Sequence, residues 1–118
     1  MRTAIPSMRK LAGLLAAACA LFVLPSQAAT AASFDCRQAS IPAEKAICGN
    51  PNLSQLDART AGMYFTVLGN DLPPSKQAQV KNTQRRFLAT RNACGYNVDC
   101  LVDAYTSQMM YLKNVLNP

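Results

Sequence analysis

The 118-residue chain predicts an all-α fold, a small disulfide-stapled helical bundle with one short and three longer helices. Apolar residues recur at helical spacing through its second half, and no strand-like alternation persists anywhere. Prolines stand at the heads of the periodic stretches, where a helix tolerates them. Four cysteines lie in two close pairs, one on each side of the longest periodic region. The length supports one small domain, and an apolar content of 50% excludes general disorder.

The N-terminal segment reads as a secretory signal peptide covering residues 1–28. Arg2, Arg9 and Lys10 precede an apolar run from Leu11 to Leu24 that Pro25 stops. That run of 14 residues is shorter than the roughly 20 needed to span a bilayer. Ser26-Gln27-Ala28 puts small residues where a signal peptidase reads them, so cleavage is placed after Ala28. Ala29-Thr30-Ala31 satisfies the same rule for cleavage after Ala31. Cys19 offers a lipoprotein alternative, in which membrane attachment follows from its acylation. The apolar run continues past it through Leu24, where a lipoprotein usually turns polar. The expected location is periplasmic or secreted.

Removal of residues 1–28 leaves 90 residues, 29–118, with nine basic and six acidic side chains and a net charge of +3. Cys36, Cys48, Cys94 and Cys100 remain, an even number that reads as two disulfides in an exported small domain. Three pairings are open, and the spacing favours local closure, Cys36 with Cys48 and Cys94 with Cys100. Zinc-binding thiolates are usually separated by two to four residues, whereas the gaps here are eleven and five. No Cys-x-x-Cys motif points to redox chemistry. No metal and no cofactor is expected.

The first helix runs over Pro42–Cys48, with Gly49 at its exit and Ser40 as a substitute cap for Ile41. Asn50 caps the second, with Pro51 at its first position and Leu53, Leu56, Thr60, Met63, Tyr64, Val67 and Leu68 at helical spacing. Pro73 and Pro74 break the chain, Ser75 caps the third helix, and Val80, Phe87 and Leu88 share its inner face. Cys94 to Cys100 forms a tight loop. The last helix turns Leu101, Ala104, Tyr105, Leu112, Val115 and Leu116 inward.

Four polar side chains fall on or beside these inward stripes: Asp57, Gln84, Arg91 and Gln108. A buried charge needs a partner, so the pattern predicts an Asp57–Arg91 ion pair with Gln84 or Gln108 completing its hydrogen bonds. This network is read as structural, setting helix register. A lone carboxylate held by a guanidinium, with no second carboxylate at helical spacing, makes no acid–base couple. The chain has no histidine, which removes Ser-His-Asp triads and histidine metal sites. An enzyme is not expected.

The run Phe34-Asp35-Cys36, Pro42-Ala43-Glu44-Lys45-Ala46-Ile47-Cys48 and Leu56-Asp57 resembles the N-terminal domain of LprI-type lysozyme inhibitors. Gln84-Arg85-Arg86-Phe87-Leu88, Arg91, Cys94-Gly95, Cys100-Leu101 and Tyr105 follow in the same order, so the resemblance spans about Ser33 to Leu116. It implies a small exported helical domain with two disulfides. The family usually has Trp where Phe87 stands, often Arg at Gln108, and Ser or Thr at Ile41.

The resemblance implies a binding module that inhibits a cell-wall lysozyme or contacts another envelope protein. The disulfide-pinned Tyr96-Asn97-Val98 is the candidate binding loop, and the turn around Asn70 and Asp71 is a second, separate candidate. A pinned loop loses little entropy on binding, although a net +3 is repelled by a basic lysozyme at long range. The alternative is a non-catalytic envelope module contacting anionic lipid or wall polymer, for which Lys81 and Arg85 stand four apart on the outward side of the third helix with Arg86 nearby. Nucleic acid is an unsuitable partner, because the charge is modest and no aromatic platform accompanies it.

Overall fold

The structure, a computed structural model, describes residues 32–118. The expected signal segment, Cys19 and both cleavage positions lie outside the described residues. A single 3-10 turn at Cys36–Gln38 leads into α1 (Pro42–Cys48), α2 (Pro51–Leu68), α3 (Pro74–Ala93) and α4 (Val98–Leu116). The fold is all-α, with no strand among the described residues. None of the described helices is long and apolar enough to cross a membrane.

Each helix begins where local chemistry requires. Asn50 Oδ1 accepts from the backbone N–H groups of Asn52 and Leu53 at 3.0 and 3.2 Å, and Pro51 adds a pre-set φ at the first position. At α1, Ile41 offers no capping side chain, and Ser40 does not replace it with its hydroxyl. The Ser40 backbone N–H instead donates to Glu44 Oε1 at 3.0 Å, a reach-back from the first turn to the residue before the N-cap. Ser75 does not cap α3 either. The helix starts two residues earlier than that cap implies, at Pro74 with Pro73 in the cap position, because a proline at the first position needs no N–H partner.

Helix α4 packs most extensively on α2 and then on α3, whereas α2 and α3 barely meet. The interior divides into two apolar clusters. One gathers Ala43, Ile47, Leu53, Phe87, Leu101, Ala104 and Tyr105, with Ala32 and Phe34 closing over it. The other is Val67, Val80 and Leu112 with Met63, Tyr64, Leu72 and Tyr111 around them. Between the clusters each long helix contributes one polar side chain: Thr60 from α2, Gln84 from α3 and Gln108 from α4. Gln108 Nε2 donates to Gln84 Oε1 at 2.9 Å, and Thr60 Oγ1 donates to Leu56 O at 2.7 Å. A polar layer that is satisfied only when Gln84 and Gln108 are level opposes axial slippage of α3 against α4.

Both local disulfides form, Cys36–Cys48 and Cys94–Cys100, with Cα atoms 5.8 and 5.6 Å apart. The first ties the N-terminal strap to α1, and the second bridges the α3–α4 connection. Intramolecular disulfides are compatible with an oxidising location. Leu88 departs from the expected inner face: it lies about 100° round the helix from Phe87 and is 36% exposed.

Candidate functional site

Two polar assemblies and one surface knob contain the residues singled out in the sequence. Asp57 is 3% exposed and meets three groups. The Tyr105 hydroxyl donates to Oδ1 at 2.7 Å, the Ser33 backbone N–H donates to Oδ2 at 2.5 Å, and Arg91 Nη1 lies 3.4 Å from Oδ1. Arg91 directs its Nε and Nη2 to Asn92 Oδ1 at 3.0 and 2.8 Å, and the Phe34 ring lies 5.6 Å from its guanidinium carbon. The Asp57–Arg91 pair therefore exists with a long separation, and the shorter contacts to Asp57 come from Tyr105 and Ser33.

Neither glutamine completes this pair. Gln84 lies seven residues before Arg91 on α3, two turns or about 10 Å along the axis, too far to reach Asp57. Gln84 and Gln108 bond to each other instead, in the separate layer between the apolar clusters. The helical pattern turns Tyr105 inward and assigns its hydroxyl no partner; the structure gives that hydroxyl Asp57. Burial first, then the bond to Asp57 and the negative charge there, pushes its phenol well above the usual 10.0. Ser54 joins the buried polar set as well, donating to Ile47 O at 2.7 Å and fastening the end of α1 to α2. Asp57, Arg91 and Tyr105 are all buried in protein.

The α3–α4 connection is different. Gly95 takes φ +60°, a left-handed conformation in which a side chain is disfavoured, and this lets the chain reverse within the Cys94–Cys100 bridge. Asn97 then caps α4, its Oδ1 accepting from the Cys100 N–H at 3.0 Å. The expected loop is consequently shorter than seven residues. Val98 is already the first residue of α4, and the Asn97 side chain is committed to the cap, because capping starts the helix inside the disulfide ring. What projects from this rigid corner is Tyr96, 62% exposed, and Val98, 43% exposed, with Val102 one turn further on. Asp99 and Asp103 stand beside them on the exposed side of α4. Asn70 and Asp71, the second candidate turn, lie exposed at the α2–α3 connection, with no such bridge.

A groove of about 530 Å³ lies between α3 and α4, on the face of α4 turned away from Val98 and Val102. Cys100 and Asp103 line it together with Arg86, Phe87, Ala104 and Tyr111. The Tyr111 hydroxyl is buried and has no hydrogen-bond partner among the described residues. Among those residues no group of three or more histidine, cysteine or carboxylate side chains is placed to hold a metal ion.

No family model, no curated protein and no solved structure matches the chain.

Proposed function

We propose that this is an exported protein-binding module that inhibits a cell-wall lysozyme, using the knob formed by Tyr96, Val98 and Val102 as its contact surface. The observation that carries this reading is the exposure of Tyr96 and Val98 on a connection held by the Cys94–Cys100 bridge and the Asn97 cap. Solvent-facing aromatic and branched apolar groups on a rigid support lose little conformational entropy when they are covered. The sequence resemblance to LprI-type inhibitors supplies the partner class.

The local charge offsets, at close range, the repulsion between a mildly basic domain and a basic enzyme. Asp99 and Asp103 flank the knob, so the approaching corner is acidic although the mature chain is net positive. Two carboxylates in a lysozyme cleft would repel those aspartates at close range. Tyr96 is therefore assigned to the cleft side and the aspartates to the basic surface beside it. The reading is one of binding and not of turnover, since Asp57 is enclosed by Tyr105, Arg91 and the N-terminal strap.

The test is clearing of a peptidoglycan suspension by several lysozyme classes with and without the mature chain beginning at Ala29. Slowing by the native chain and its loss in Tyr96→Ala is the expected result. No slowing of any class at high micromolar concentration removes the inhibitor reading.

A further inference from the structure

We infer that a second face of the domain, between α2 and α3, docks on an anionic lipid bilayer. The charge of the domain is unevenly placed. Helix α3 carries Lys76, Lys81, Arg85, Arg86 and Arg91 and no acidic residue. The remaining described residues hold four cations (Arg37, Lys45, Arg59, Lys113) and six acids. Only Arg91 of the α3 cations has a carboxylate within ion-pair distance, since the ion pairs among the described residues are Arg37–Asp35 and Arg91–Asp57.

Where α3 faces α2 the two helices barely meet, and a groove of about 380 Å³ is left between them. Lys81, Arg85 and Leu88 line it from α3 at positions i, i+4 and i+7, and Ala61, Tyr64 and Phe65 line it from α2. Phe65 is 67% exposed and has the highest exposure of the large apolar side chains in the described domain. No carboxylate lines this groove. The face shares no residue with the knob assigned to protein binding.

Two occupants suit cations: a phosphate-bearing polymer and a bilayer with anionic headgroups. A polymer in water uses the charges and gains nothing from an uncovered phenyl ring. A bilayer interface accepts both, taking the ring and the leucine below the headgroups while Lys81 and Arg85 stay at headgroup level. The composition of the face, an aromatic and an aliphatic residue flanked by unpaired cations, therefore selects the lipid surface. The described helices meet the bilayer at its surface, since none of them is long and apolar enough to cross a membrane. One patch of this size gives reversible binding that weakens with salt.

The chain contains no tryptophan, so Phe65→Trp introduces a single fluorescent reporter at the contact. The chain beginning at Ala29 is used, which lacks Cys19 and so carries no acyl chain at that position. Mixed with phosphatidylcholine–phosphatidylglycerol vesicles at low salt, Phe65→Trp should co-float and shift its emission to the blue. Phosphatidylcholine vesicles alone should give neither effect. Lys81→Gln and Arg85→Gln should each lower the partition coefficient about fivefold. Tyr96→Ala should leave it unchanged. Failure to float with the anionic vesicles overturns the inference. Flotation without an emission shift, together with equal retention of native and Phe65→Ala chains on immobilised polyphosphate, overturns it in favour of a polyanion-binding surface.

Discussion

Replacing Tyr105 with Phe isolates one hydroxyl in the buried Asp57 cluster. The ring keeps its place, tilted against Phe87 at a centroid separation of 5.4 Å, so no cavity opens. The loss is the 2.7 Å hydrogen bond to a carboxylate that is almost wholly buried. A hydrogen bond to a charged group contributes about 1.5–3 kcal/mol. Asp57 retains the Ser33 N–H and Arg91, so it is not orphaned and the expected loss is about 2 kcal/mol. For a domain of this length that corresponds to a fall in Tm of roughly 8–16 °C.

Urea unfolding followed by circular dichroism reads the change as a lower midpoint with an unchanged slope. A pH series adds a second signature. The folded phenol titrates above its unfolded value of 10.0, so the folded state holds a proton that the unfolded state has released. The stabilisation is complete below about pH 10 and declines as pH rises beyond it. Tyr105→Phe should lose less stability over that alkaline range than the native chain. A destabilisation under about 0.5 kcal/mol, the size of an ordinary surface substitution, would refute the role given to this hydroxyl.

Arg91→Met leaves Asp57 charged and buried without its cation, and a loss of about 3–5 kcal/mol in urea unfolding is expected. Cys94→Ser with Cys100→Ser should cost about 2 kcal/mol, and Cys36→Ser with Cys48→Ser about 3 kcal/mol, from loop closures of 6 and 12 residues. Thermal unfolding of each pair against the oxidised native chain checks both the magnitudes and their order. Asn97→Ala removes the cap of α4 and should lower stability by about 1 kcal/mol while amide exchange rises first at residues 98–101.

Helix placement was legible because its signals are local. Pro42, Pro51 and Pro74 mark three helix starts, and Asn50 caps one with its own side chain. The inward direction of Asp57 and Arg91 follows from a period of 3.6 residues and needs no knowledge of the neighbouring helices. The partners of those side chains depend on how far each helix is displaced along its axis, which a helical wheel does not contain. For that reason the wheel groups Gln84 and Gln108 with Asp57, whereas they form a layer of their own. Tyr105 was hidden because its ring satisfies the apolar pattern while its hydroxyl reaches across to α2. Ser33 contributes a backbone N–H, a group common to almost every residue type. The start of α4 was displaced because the cysteine spacing suggested a loop up to Cys100, whereas Asn97 begins the helix inside that ring.

The most direct measurement of the proposed contact is amide hydrogen exchange of the chain beginning at Ala29 with and without a saturating lysozyme that it inhibits. Protection confined to residues 95–103, with residues 81–88 on α3 unchanged, is the expected result. Protection centred elsewhere, or none at all in a complex shown to have formed, would contradict a binding surface built on Tyr96, Val98 and Val102.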